Sequence, residues 1–435
     1  MNFHKKHITI AFITYLSSTA AFAGPYGFDL HNVLSPKAAS MAGTTIAGEG
    51  SGPVEAVYGN PANLTDLKGG TNFTFGATLY YPEVHAKHDG SVTGAGSESA
   101  YDTTSSTQVF TIPQIAVTQD LAALGVPLVF GAGLSVVSGI GVDWRDNPNA
   151  LGAAAEYVVF GINSGIGYSV NEQLDLGAAL TISYATLEAG VAGSSAQSHD
   201  YGFRGTLGAD YHPTAKTDIG FYYQTQLSHT FDNMMQLKNG VRAGAGVIAN
   251  VDDRSFNHED VTVTQPSNYA LGVSHQVTDQ LRIASDFIYK EWSEAKFWDN
   301  FYEDQQVVSL GVEYKTKGPL TLRAGYGWAS DPTDEITKGK TLEGFNALCT
   351  GIGKGTCFSL DSPQVWNWLQ AMETPVIYKH RITTGFSYEG FLAPFITLDV
   401  HAAYQLPQKR EYQGSGTTLD VRSYHGGFAL TWKFS

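Results

Sequence analysis

Residues 174–186 read LDLGAALTISYAT. In an extended chain Leu174, Leu176, Ala178, Leu180, Ile182 and Tyr184 fall on one side, and Asp175, Gly177, Ala179, Thr181, Ser183 and Ala185 on the other. One face is apolar and the other small or polar. The same pattern runs through NFTFGATLYY at 72–81, where Phe73, Phe75, Ala77, Leu79 and Tyr81 oppose Asn72, Thr74, Gly76, Thr78 and Tyr80. It returns in DYGFRGTLGADY at 200–211, with Tyr201, Phe203, Leu207, Ala209 and Tyr211 opposite Arg204, Thr206 and Asp210. Such alternation predicts fourteen strands, over 69–81, 107–118, 128–138, 156–170, 174–187, 200–211, 218–229, 264–277, 281–291, 305–315, 320–329, 378–389, 395–406 and 421–434.

The connections between them alternate in length. Those at 120–127, 171–173, 212–217, 278–280, 316–319 and 390–394 are short. Those at 82–106, 139–155, 188–199, 230–263, 292–304, 330–378 and 407–420 are long. Outer-membrane barrels have this rhythm, because their periplasmic turns are tight and their external loops are not. A soluble β-sandwich has no such one-sided rhythm and must cover its apolar faces with a second sheet. The expected fold is therefore all-β: a transmembrane antiparallel β-barrel of about fourteen strands spanning 69–435.

Composition agrees. The chain holds 48 Gly, 23 Tyr, 23 Phe and 7 Trp with 15% charged residues. Its start, MNFHKKHITIAFITYLSSTAAFA, has Lys5 and Lys6 before an apolar run over 8–16 and ends on Ala21-Phe22-Ala23. It reads as a signal peptide over 1–23, too short in its apolar core for the roughly 20 residues of a spanning helix. Without it, 24 basic residues (26 − 2) stand against 41 acidic ones, a net charge of 24 − 41 = −17, which excludes nucleic acid as a partner. No later apolar run reaches spanning-helix length, which excludes a helical inner-membrane protein. The expected location is a Gram-negative outer membrane.

Residues 24–68 precede the first strand, are rich in Gly and Ala, and are broken by Pro25, Pro36, Pro53 and Pro61. A fourteen-stranded lumen is too wide for its wall side chains to fill. The segment is expected to fold back as a plug, since Phe28, Leu30, Val54, Val57, Tyr58 and Leu64 argue against a disordered extension.

The stretch SPKAASMAGTTIAGEGSGPVEAVYGNPANLTDL at 35–67, with Asn60-Pro61-Ala62 just before the first strand, resembles the plug region of the FadL (OmpP1/FadL/TodX) family of outer-membrane transporters of long-chain fatty acids and other hydrophobic compounds. PSNYALGV at 266–273 and YKEWS at 289–293 look like a strand of that family and its Trp-Ser end. The resemblance implies a monomeric barrel whose plug closes the lumen towards the periplasm. It implies ligand capture by external loops and sideways release into outer-membrane lipid through a gap where the third strand kinks. In the family Asn-Pro-Ala lies beside that kink; here Gly131, Gly133 and Gly139 of the third strand are where a kink or bulge is easiest.

In the longest loop, Val365, Trp368, Leu369 and Met372 fall on one face of a short helix that also carries Trp366, with Phe345 and Leu348 upstream. Exposed, this face is a capture groove for hydrophobic ligand; packed on its neighbours, it is a lid, or it rests at the membrane interface. Arg204, Arg282, Asp286, Lys290, Arg323 and Arg381 lie on the lumen face. The arginines either hold a carboxylate ligand or are ordinary lumen charges. Cys349 and Cys357 are expected to form a local disulfide; with no His beside them a metal pair is disfavoured.

There is no Gly-x-Ser-x-Gly and no His-Glu-x-x-His, and GIGKGT at 351–356 lacks the Gly-Lys-Ser/Thr order of a phosphate loop. No enzyme activity, cofactor or metal is expected. Uptake of a hydrophobic small molecule, fatty acid or hydrocarbon, is the leading reading; a general diffusion porin or substrate-specific channel is the alternative, and an adhesin a more distant one.

Overall fold

The structure, a computed structural model, describes residues 35–48, 52–91, 99–106, 109–150, 152–190, 196–232, 234, 242–243, 246–247, 260–336, 363–375 and 377–434. The signal segment, the first residues of the plug, Phe345, Leu348, Cys349 and Cys357 lie outside them, as does the side chain of Val365.

Fourteen strands form one closed antiparallel barrel. They are β1 (Thr71–His88), β2 (Phe110–Asp120), β3 (Val129–Asp143), β4 (Ala154–Asn171), β5 (Leu174–Gly190), β6 (Ala196–Thr214) and β7 (Thr217–Gln224), followed by β8 (Asn268–Gln276), β9 (Leu281–Lys290), β10 (Gln305–Lys315), β11 (Leu320–Ala329), β12 (His380–Glu389), β13 (Ile396–Tyr412) and β14 (Thr417–Phe434). Closure is made by β14 on β1, from Thr71↔Phe434 to His88↔Thr417. The alternation predicted from sequence sets the two faces. Leu180 (48% exposed) and Leu207 (62%) point out, while Thr181, Thr206 and Asp210 are buried inside.

All fourteen predicted strands are present, but several run further outward than expected. β1 continues through Pro82 to His88, and β13 through Pro407 to Tyr412. Beyond the apolar belt these residues no longer alternate in hydropathy, yet the backbone still has to pair, and the ladder carries on. Pro82 pairs with Ser423 of β14; on its other side β2 has already ended opposite Tyr80 and a short strand, Tyr101–Thr104, starts only opposite His85. A residue without an N–H is tolerated where no neighbour asks for one.

The seventh strand is shorter than predicted. The chain leaves the wall after Gln224, and Leu227–Phe231 pairs with Val261–Gln265 as a separate hairpin whose Leu227, His229 and Phe231 are buried. Arg204 pins both crossing points, donating from Nε to the Thr225 carbonyl (2.8 Å) and from Nη2 to the Pro266 carbonyl (2.9 Å).

Candidate functional site: a plugged lumen with an unpaired seam

Residues 35–48 and 52–67 lie inside the barrel at the end that carries the short turns. The segment comprises α1 (Pro36–Ala39), α2 (Pro53–Tyr58) and a 3-10 helix at Pro61–Leu67. From Ser40 to Gly48 it walks along the wall from β12 to β6. Arg381 Nη2 donates to the Ala42 carbonyl (2.7 Å), and the Ala42 N–H to Thr383 Oγ1 (3.0 Å). The N–H groups of Thr45 and Ile46 both donate to Asp286 Oδ2 (2.8 and 3.0 Å), and that of Gly48 to Asp210 Oδ2 (2.8 Å). Such contacts satisfy plug backbone that is cut off from water.

Close approach is possible because the wall presents glycines at this level. A Cβ at Gly177 would fall on the Pro61 carbonyl carbon, and one at Gly220 on the Ile46 carbonyl. No side chain fits there without moving the plug.

Asn60 caps the 3-10 helix, accepting the Ala62 N–H at Oδ1 (3.1 Å) while its Nδ2 donates to the carbonyls of Ile46 (2.8 Å) and Ala209 (3.0 Å). Pro61 follows at the first helical position, where a missing N–H matters least. The Asn60-Pro61-Ala62 turn therefore rests on β5 and β6, not on β3 as the resemblance implied. The plug meets β3 through Val57, Tyr58 and Leu64, which press on Gly131 and Gly133. Tyr58 also donates to the Gly161 carbonyl (2.6 Å), and Asn163 Nδ2 to the Val57 carbonyl (2.9 Å).

The third strand is irregular beyond Gly131 and Gly133, in the stretch that holds Gly139. β2 and β3 pair from Asp120↔Val129 only as far as Gln114↔Ser135. Next on β2 comes Pro113, which has no N–H to offer; its carbonyl accepts the Ser135 hydroxyl (3.0 Å). Beyond this point β2 stays with β1 as far as Tyr80↔Phe110, and β3 stays with β4 through a bulge between Val136 and Ser138. Further out β3 meets the chain ahead of β2, where the Ser106 N–H donates to the Asp143 carbonyl (2.8 Å). Val136 pairs with outward-facing Phe160, yet it is wholly buried against Tyr80, Phe110, Ile112 and Val158. β3 thus leans into the lumen and leaves an unpaired seam beside β2. Gly139 stands within this stretch, its would-be Cβ 3.3 Å from the Tyr157 carbonyl. Pro113 is the signal the sequence reading passed over.

The outer mouth is closed by rings. Helix α3 (Pro363–Glu373) carries Trp366 and Trp368, 1% and 0% exposed. Trp366 packs with Trp292, Trp298, Phe301 and Tyr302; Trp368 packs with Trp144, Tyr101, Met372 and Tyr378, its Nε1 donating to the Tyr101 hydroxyl (2.9 Å). Leu369 touches both groups. The two rings, two residues apart, point to opposite sides of the helix, so α3 is enclosed all round and its aromatic face is not an open groove. It packs as a lid. Glu373, at its end, has both carboxylate oxygens buried without a hydrogen-bond partner, and burial pushes this carboxyl up to about 8.

The lumen arginines are all buried. Glu313 takes Arg323 (2.7 Å) and Arg282 (3.3 Å), and Arg323 also approaches Asp399 (3.7 Å). Glu313, Arg323 and Asp399 line a cavity of about 230 Å³ between the plug and the wall strands β10–β14 and β1, with Lys37 and Glu55 on the plug side. Desolvation raises the Glu55 carboxyl, opposed by Lys37, and lowers the Lys37 amine. Among the described residues no group of three or more His, Cys, Asp or Glu side chains has the geometry to hold a metal ion.

A closed fourteen-stranded barrel with an apolar outer belt and an internal plug defines an outer-membrane transport protein. Residues 15–342 match the model of the family described as outer membrane protein transport protein (OMPP1/FadL/TodX), and the chain belongs to that family. Comparison with curated protein sequences returns no match.

Among solved structures the chain is similar to the toluene transporter TodX of Pseudomonas putida, at 17% identity and TM-score 0.62 over 91% of this chain and 97% of that one. It is similar to the toluene transporter TbuX of Ralstonia pickettii at 18% identity and TM-score 0.61, over 92% and 98%. A FadL homologue of Pseudomonas aeruginosa gives 15% identity and TM-score 0.61, over 96% and 100%. At these identities the likeness is one of fold.

Proposed function

We propose that this protein takes up hydrophobic small molecules as a monomer, passing them from the outer mouth into the lumen and releasing them sideways into the membrane between β2 and β3. The observation that carries this reading is the unpaired seam beyond Gln114↔Ser135, standing above a plug that closes the other end. An acyl chain that crosses water forgoes about 0.8 kcal/mol per CH₂. A route into hydrocarbon avoids that exposure. The cavity between the plug and the wall is lined by Lys37, Glu55, Glu313, Arg323 and Asp399, and offers an apolar molecule no comparable passage.

In this reading Trp366, Trp368, Leu369 and Met372 make the apolar cap that a ligand enters by displacing rings. Asn60, Pro61 and Ala62 hold the plug on β5 and β6, while Gly131 and Gly133 give it room on β3. The cargo is a long-chain fatty acid or another hydrophobic compound; TodX and TbuX, which the fold resembles, are toluene transporters. No catalytic step is part of this function.

The test combines conductance with uptake. The full chain should take up a labelled hydrophobic compound in cells yet give almost no steady current in planar bilayers. Removing residues 35–67 should turn it into a conducting pore. Large steady conductance by the full chain would favour the diffusion-porin alternative instead.

A further inference from the structure

Where the plug meets β5–β7 near the short turns, one histidine stands between carboxylates. His212 of β6 places Nδ1 2.7 Å from Asp218 Oδ1 of β7 and Nε2 3.0 Å from Asp175 Oδ2 of β5. Asp210, two residues back on β6 and 1% exposed, pairs across to Asp175 on one side and to Gly220 on the other. All three carboxylates also meet the plug. Asp175 Oδ2 accepts the Thr65 hydroxyl (2.7 Å), and Asp210 Oδ2 accepts the Gly48 N–H (2.8 Å). Asp218 lies so close to Gly48 that a Cβ there would collide with its Oδ2.

The patch is acidic, and Asp66 of the plug adds to it by acting electrostatically on Asp210. Glu172, in the turn before β5, is exposed, and Asp286 is taken up further along by the N–H groups of Thr45 and Ile46. Lys216 is exposed in the next turn, Lys68 donates to Ser169 (2.6 Å), and His275 of β8 is exposed and bonded to Thr217 (2.9 Å). Among the described residues, His212 is the one basic side chain in contact with Asp175 and Asp218. An ionised carboxylate only accepts, and a neutral imidazole donates from one nitrogen while the other is bare. Two ionised carboxylates are both satisfied only by a ring that donates twice, the imidazolium.

We infer that His212 is a proton-operated latch of the plug, closed by the imidazolium and released when the ring loses its proton. Charged, the ring holds Asp175 and Asp218 in place against Thr65 and Gly48. Neutral, it turns a bare nitrogen to one carboxylate and leaves Asp175, Asp210, Asp218 and Asp66 to repel one another. The plug then loosens along β5–β7 while its contacts with Asp286, Thr383 and Arg381 hold. The sign follows: the latch stabilises the closed plug at lower pH, and that stabilisation is lost as pH rises. The inference goes beyond hydrophobic uptake and rests on the plug closing the lumen.

The unaltered full chain is tested in planar bilayers at about pH 6.5 and about pH 9.5, on either side of an imidazole titration. Steady conductance should be at least about tenfold higher at the upper pH, the change that losing one charge-assisted hydrogen bond makes in an equilibrium. His212→Gln, which has no proton to lose, should conduct at the lower pH as the wild type does at the upper one. Asp218→Asn should act the opposite way. Its amide can donate to the bare nitrogen, so a neutral ring is satisfied and the plug stays closed at the upper pH.

Equal wild-type conductance at both pH values overturns the latch and leaves hydrophobic uptake standing. A pH step that survives in His212→Gln, or an Asp218→Asn protein that opens like the wild type, overturns it as well. Should neither variant assemble, the wild-type comparison decides alone. Large conductance already at the lower pH contradicts the closed plug on which both the latch and the uptake reading rest.

Discussion

The two ends of the lumen are closed by different physics. At the inner end the plug is held by directional hydrogen bonds from its backbone to Asp286, Thr383 and Asp210 on separate strands, with glycines letting it lie against the wall. At the outer end five of the seven tryptophans, Trp144, Trp292, Trp298, Trp366 and Trp368, close the mouth by apolar packing. An apolar guest can replace ring-to-ring contacts with contacts of its own and lose little. It cannot replace a carboxylate that accepts two backbone N–H groups. In the proposed function the outer closure therefore yields to hydrophobic cargo and the inner one does not, and the wall is the way out.

That contrast breaks most readily at the inner end. Gly220→Val places a side chain on the Ile46 carbonyl and Ala47, and such overpacking costs about 1–3 kcal/mol. The plug should shift, steady conductance should rise, and cells should become sensitive to large antibiotics. A variant as tight as the wild type would mean that glycine contact does not hold the plug.

At the outer end, Trp368→Ala removes a fully buried ring and should weaken the cap by about 3–5 kcal/mol, read as faster hydrogen exchange over α3 with the barrel strands unchanged. Uptake should persist, because in the proposed function the cap is displaced by ligand.

The smallest effect is a pH dependence of the cap. Glu373 has a carboxyl pushed up by burial from 4.5 to about 8, so the folded cap holds a proton that the undocked segment releases. Its contribution is full below 4.5 and lost as pH rises through about 8. Protease access to α3 should increase over that window, and Glu373→Gln should flatten the dependence.

The barrel was legible in the sequence because a strand with lipid on one face and lumen on the other has to alternate, as LDLGAALTISYAT does. The plug was legible because its Gly, Ala and Pro cannot form a lipid-facing strand. The seam was not. Gly131, Gly133 and Gly139 drew attention as sites of easy bending; Gly139 lies in the unpaired stretch beside the bulge, but the first two serve contact with Val57, Tyr58 and Leu64, and the ladder stops at Pro113. The reason is that glycine permits many local structures whereas proline forbids one, a missing N–H at a defined position. The helix at 363–373 showed its apolar face, but burial of Trp366 and Trp368 on opposite sides depends on partners distant in sequence, such as Trp144 and Phe301.

The central claim, lateral exit between β2 and β3, is tested most directly by closing that seam covalently. Ile112 and Val136 lie in one buried group across it, and the pair Ile112→Cys with Val136→Cys is the one to join by oxidation or by a short, reducible bifunctional thiol crosslinker. With the crosslink verified by mass, uptake of the hydrophobic compound should stop, and reduction should restore it while the plug stays closed. Undiminished uptake by the fully crosslinked protein would contradict the account.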